Sequence, residues 1–202
     1  MKYNKNTSER ILEAAFSEFE EKGYYGARMQ AIADKAGMNK ALLHYYFKSK
    51  DALFELVVAQ ALRLVIPKVL GSFDEKLNIL EIIKRFIAVY IDMIIKYPHI
   101  PGFLIHEISY NPQRLLSFSN TENLNLDMVK QRLQKEIDEG NIIQITPEQL
   151  IVNIIGLCVF PFAAKPLVIG LVLDGQDKNF DEFVKQRKTQ VADFVVNAIK
   201  IK

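Results

Sequence analysis

Apolar residues recur at helical spacing along almost the whole of this chain, and that periodicity fixes most of what it can fold into. An α-helix turns once in about 3.6 residues, so side chains three and four apart share a face. Across residues 7–22, Ile11, Leu12, Ala15, Phe16 and Phe19 lie on one such face, with Asn6 or Thr7 placed to cap the start and Gly23 to stop the end. Residues 29–36 repeat the pattern with Met29, Ile32, Ala33 and Ala36 and close on Gly37. Residues 40–47 make a third short helix, and Ser49 can cap a longer fourth that Pro67 and Gly71 bring to an end. Further helices are predicted at 74–97, 101–109, 123–139, 147–164 and 181–201, set apart by prolines, glycines and a Ser- and Asn-rich loop at 117–125. No run alternates apolar and polar residues between hairpin turns, so the fold expected is all-α, with about nine helices.

Composition matters mainly for what it excludes. Half of the 202 residues are hydrophobic and a quarter charged, which suits a globular chain with a real core and rules out disorder. The 26 Lys and Arg nearly cancel the 24 Asp and Glu, so any affinity for a polyanion must be local. It is concentrated at one end: residues 1–50 hold nine basic and six acidic side chains. The single cysteine, Cys158, sits among apolar neighbours and reads as a small buried hydrophobe in a reducing, cytoplasmic compartment. The polar first ten residues contain no apolar core of a secretory signal. Residues 150–173 are apolar enough to suggest a membrane span, but Lys165 near the middle and Pro161 and Pro166 argue for a buried helix instead.

The two short helices joined at 36–39 carry the functional signal. They match a helix-turn-helix, in which the first helix braces the second and the second enters the DNA major groove. The groove admits one helix, so the second needs an apolar inner side and a polar or aromatic outer side. Leu43 and Phe47 supply the inner side; Lys40 and Tyr46 are placed for phosphates, and His44 or Tyr45 for base edges. Lys48 and Lys50 would be ordinary solvated lysines in an arbitrary helical protein, and only the surrounding motif brings them into the DNA-binding set.

The run from Ile32 to Phe54 reads A-G-M-N-K at 36–40, H-Y-Y-F at 44–47, S-K at 49–50 and L-F at 53–54. It closely resembles the signature of the TetR (tetracycline repressor) family, and Ala14, Ala15, Phe19, Gly23 and Tyr24 match the family's first helix and turn. The resemblance is specific over 7–57. It implies a homodimeric transcription regulator, usually a repressor, with a DNA-binding domain at 1–48 and a helical domain at 49–202 that dimerises and binds a small ligand. By position, it places Arg28 and Gln30 at the start of the supporting helix and Asn39, Lys40, Ala41, Leu42, His44, Tyr45 and Tyr46 on the turn and recognition helix. Lys50 falls on the family's phosphate-contacting lysine. One departure is Ala41-Leu42, where the family commonly has a small residue followed by a hydroxyl; Leu42 could instead meet a thymine methyl.

Nothing beyond residue 50 forms a catalytic constellation: there is no phosphate loop, no nucleophile elbow and no His pair at metal-ligand spacing, since Tyr110 stands where a second His would follow His106-Glu107. No enzyme activity and no cofactor are expected. The resemblance implies an effector pocket, for which Phe86, Tyr90, Met93, Phe103, His106, Tyr110, Asn153 and Phe160 are the candidates, on helices expected to face the bundle interior. Two-fold pairing of the last two helices is expected through Ile151, Ile154, Ile155, Cys158, Phe162, Phe183, Val191, Phe194, Val195 and Ala198. The expected protein is therefore a regulator released from a near-palindromic operator by an apolar or amphipathic ligand. The rival reading is a helical-bundle carrier or enzyme with no specific DNA affinity.

Overall fold

The computed structural model describes residues 5–70, 77–110, 112–113 and 126–201, so the loop expected at 117–125 lies outside the described residues. Their helices are α1 (Lys5–Gly26), α2 (Met29–Lys35), α3 (Lys40–Tyr46), α4 (Lys50–Leu70), α5 (Ile79–Lys96), α6 (His99–Tyr110), α7 (Asp127–Asp138), α8 (Pro147–Ala163) and α9 (Phe180–Ile199). An isolated antiparallel bridge, Ile142 to Lys200, is the one strand-like pairing among the described residues. Capping side chains set several starts: Asn39 accepts from the Leu42 amide (2.7 Å), Asn78 from Glu81 (2.9 Å) and Thr146 from Gln149 (3.4 Å). Within α1 the helical run breaks at Gly23 as expected, at φ 64°, and one further turn follows, in which the Ala27 amide bonds the Gly23 carbonyl.

Two compact units emerge, and they divide the chain differently from the expected 1–48 and 49–202. One holds the described residues of Met1–Arg63 and Pro98–Asn123, the other those of Leu64–Tyr97 and Leu124–Lys202. The difference arises because α6 returns to pack on α1. In this first unit Phe16, Phe19, Phe54 and Phe103 meet edge-on or tilted at 4.9–6.5 Å, an aromatic centre that ties α1, α4 and α6 together.

The second unit is built on α5, α7, α8 and α9. Ile82, Ile87 and Ile91 of α5 pack with Leu133, Ile137, Leu150, Ile154, Cys158, Val191 and Val195 in one buried cluster. A smaller cluster of Val168, Phe180 and Val184 lies beside it. Between α8 and α9 the chain makes a helical turn at Lys165–Leu167 and a π-turn at Val168–Val172, a segment that sequence periodicity left unassigned. Among the described residues no single helix is long and apolar enough to cross a membrane; the apolar stretch is broken at Ala164, where its two helical pieces bend by 72°.

Candidate nucleic-acid interface

The site begins with α1, which holds the two short helices in place from three directions. Glu18, buried on α1, accepts the Arg28 amide at 3.4 Å and the Lys35 ammonium at 3.0 Å. Lys35 reaches Glu21 as well, at 2.7 Å, and that bond holds the Glu21 carboxyl below its usual range while raising the Lys35 ammonium. Farther along α1, Arg10 donates to the Ala36 carbonyl at 2.5 Å and to that of Gly37 at 3.4 Å, gripping the turn of the helix-turn-helix. Gly37 has φ 64°, a left-handed conformation that suits glycine.

From this base α3 projects with one side inward. Leu43 is its only buried residue, while Lys40, Ala41, Leu42, His44 and Tyr45 are exposed, Tyr45 to 70%. Such exposure is unusual for an aromatic side chain. Tyr46 is half-buried with its ring 5.8 Å from that of Tyr45 in a T-shaped pair, and Phe47, expected on the inner side, is half-buried where α3 ends. Arg28 and Lys48 are exposed at either end of the motif.

Three expected DNA contacts are already engaged within the protein. The Asn39 oxygen caps α3, the Gln30 amide donates to Asp34 at 2.8 Å, and Lys50 donates to the carbonyls of Tyr24 and Ala27. Arg10, Glu18 and Lys35 were not anticipated. Their partners lie 10–27 residues away in sequence, and no local spacing signals such pairs.

The expected effector residues are divided between the two units. Phe86 and Tyr90 stack at 5.3 Å on α5, which also carries the buried Met93. Phe103 is instead core to the first unit, and His106 packs its imidazole over Gly23 there. Phe160 is 62% exposed and Asn153 is exposed, so neither faces the bundle interior. Asn153 borders an open groove of about 330 Å³ with Ile143, Ile145, Leu157 and Phe194. The Tyr110 side chain lies outside what the structure describes.

The expected dimer surface also divides. Ile154, Cys158, Val191 and Val195 are buried in the second unit's own core, because the helical period turns them toward α5. Ile151, Phe162 and Phe183 are half-buried, while Ile155, Phe194 and Ala198 are exposed, and Val152 adds an exposed apolar residue that periodicity alone had not singled out.

Residues 11–57 match the family model for bacterial regulatory proteins of the tetR family, which frames the whole of α2, the turn and α3. HTH-type transcriptional regulator RutR of Escherichia coli (strain K12) is 29% identical over 142 residues, covering 70% of this chain and 66% of RutR. A linker-substituted mutant of the regulator HlyIIR superposes over 99% of this chain and 100% of its own, with a TM-score of 0.72 at 25% identity. Over residues 11–57 the chain is similar to the TetR family. KstR2 of Mycobacterium tuberculosis, at 18% identity and a TM-score of 0.73, shares the same TetR-like fold. The match spans just under two thirds of RutR's length, and the TetR-family relatives named here are transcriptional regulators rather than enzymes.

Proposed function

We propose that this protein is a sequence-specific DNA-binding regulator that acts as a homodimer on a near-palindromic operator. The observation that carries the reading is the sidedness of α3: Leu43 is sunk into the base while Lys40, Ala41, Leu42, His44 and Tyr45 are all exposed. On a helix lying in the major groove, His44 and Tyr45 meet base edges, Leu42 and Ala41 meet thymine methyls, and Arg28, Lys40 and Lys48 meet phosphates. Exposed Val152, Ile155 and Phe194 support pairing through α8 and α9, which would place two recognition helices on successive half-sites. The second unit is proposed to take a small apolar or amphipathic effector beside the stacked Phe86 and Tyr90, and effector binding to release the operator. Linkage then requires operator DNA to weaken effector binding by the same factor.

Selection of duplexes from a randomised pool, at low and at moderate salt, tests the reading. Enrichment of a near-palindrome whose affinity falls with salt is the expected result. Enrichment of nothing at either salt would favour a helical-bundle carrier.

A further inference from the structure

We propose that Lys50 is a positioning residue of the helix-turn-helix and not one of its phosphate contacts. The inference rests on the DNA-binding reading for its consequence, and on the geometry around one ammonium group for its substance.

A lysine ammonium has three N–H donors and no acceptor. In Lys50, Nζ donates to the Tyr24 carbonyl at 2.9 Å and to the Ala27 carbonyl at 3.2 Å, and it lies 4.6 Å from the centroid of the Tyr24 ring. The side chain is half-buried. The next residue completes the grip, because the Tyr24 hydroxyl donates to the Asp51 carboxylate. Residues 50 and 51 thus hold Tyr24 by its carbonyl, its ring and its hydroxyl.

The two carbonyls need such a donor. In an unbroken helix the Arg28 amide would bond the Tyr24 carbonyl, but that amide is bonded to Glu18 instead. Ala27 immediately precedes Arg28, the N-cap of α2, whose own carbonyl begins the α2 ladder by accepting from Ile32. Lys50 therefore satisfies the junction at which α1 hands over to α2, and its charge complements the carbonyl end of α1. Turning toward a phosphate would strip both carbonyls of their donor, and that loss is of the same order as the stabilisation a phosphate hydrogen bond supplies. Lys48 is exposed and faces no such loss. What Lys50 controls is the direction in which Arg28 and the start of α2 leave the junction, and with it the fit of α3 to the bases.

Full-length protein, the duplex selected above and an unrelated duplex provide the test, with affinity measured against KCl concentration. Lys48→Ala is expected to weaken both duplexes alike and to flatten the slope of log K against log [KCl] by about 0.9, the effect of one lost phosphate contact. Lys50→Met is expected to keep the wild-type slope and to lower the ratio of specific to unrelated affinity about tenfold, the scale of one base contact out of register. Lys50→Arg, which keeps donors for both carbonyls, restores the ratio. A slope flattened by about 0.9 in Lys50→Met overturns the proposal, and so does an equal loss on both duplexes, which is what general destabilisation gives. Should Lys50→Met fail to fold, acetylation of the wild-type protein read by mass spectrometry decides: Lys50 is expected to react slowly with and without duplex, Lys48 quickly and only in its absence. Fast, duplex-protected acetylation of Lys50 overturns the proposal. If no duplex is selected, the DNA-binding reading fails by itself, and the rate of Lys50 acetylation in the free protein still reports whether the ammonium is clamped.

Discussion

Gly37 is constrained twice, and the two constraints can be measured apart. Its φ of 64° is one, and a Cβ there would stand 2.6 Å from Nη2 of Arg10, the group that grips the turn, which is the other. Gly140 has a similar φ of 70° with nothing near its missing Cβ. Alanine at 140 is therefore expected to cost only the left-handed penalty, about 1–2 kcal/mol. Alanine at 37 is expected to cost about 1 kcal/mol more, the value of a hydrogen bond displaced from its carbonyl. In an Arg10→Met background that excess should vanish; thermal melts of the wild type, the two single variants and the double variant form the cycle, and strict additivity would refute the coupling. The need for glycine at 37 was legible in the sequence as a turn between two periodic segments. Arg10 was not, since nothing local links it to a carbonyl 26 residues away. Cys158 shows the opposite case, a residue whose burial its neighbours announced. Burial pushes its thiol from 9.0 up to about 12, and the Tyr90 hydroxyl from 10.0 to about 12. Both native groups favour the protonated form, so their contribution is whole below pH 9 and is lost as pH rises through 9–12, where the unfolded chain gives up its protons first. Urea melts across that range should show falling stability, and a thiol reagent at neutral pH should leave the folded protein unmodified.

At the scale of elements, periodicity outweighed propensity. Helix α5 is rich in isoleucine, a β-branched residue with little intrinsic preference for helix, yet Ile79, Ile82, Ile83, Ile87 and Ile91 form one buried stripe that stabilises it. The stripe was readable, as were the caps and breakers that set most helix ends. The turns at 165–172 were missed because Pro166 reads as a stop, although proline also suits the opening of a new helical turn. Within α8, Pro161 raises a question that only the three-dimensional arrangement answers. Proline has no amide to bond the Leu157 carbonyl four residues earlier. Arg187 of α9 supplies the missing donor, Nη2 to the Leu157 carbonyl at 2.8 Å. Arg187→Met is accordingly expected to cost about 1–3 kcal/mol, since it leaves a helical carbonyl unbonded. Adding Pro161→Ala restores the amide, so the double variant should lose less than the two single losses together. Equal sums in chemical denaturation would show that Arg187 merely packs.

For the whole molecule, the informative comparison is between neighbours that the helical period sends in opposite directions. Sequence alone could count more apolar residues on the last two helices than one inward face needs, but it could not say which of them were surplus, because that depends on where α5 lies. The structure separates them residue by residue: Val195 is 4% exposed and Phe194 is 65% exposed. If α8 and α9 pair two copies, the surplus residues hold the dimer and their neighbours hold the fold. Phe194→Glu is then expected to leave helical content and melting of the monomer intact while converting a dimer to a monomer by sedimentation at micromolar concentration. Val195→Ala is expected to act in the opposite sense, lowering stability by about 2–3 kcal/mol for the two buried carbons it removes and the small cavity it leaves, with association retained. Operator affinity should follow Phe194 and not Val195, because a two-fold site is read by two recognition helices held at a fixed spacing. A wild-type protein that sediments as a monomer, or a Phe194→Glu variant that still pairs, would move the interface off these helices and leave the exposed apolar residues of α8 without a partner.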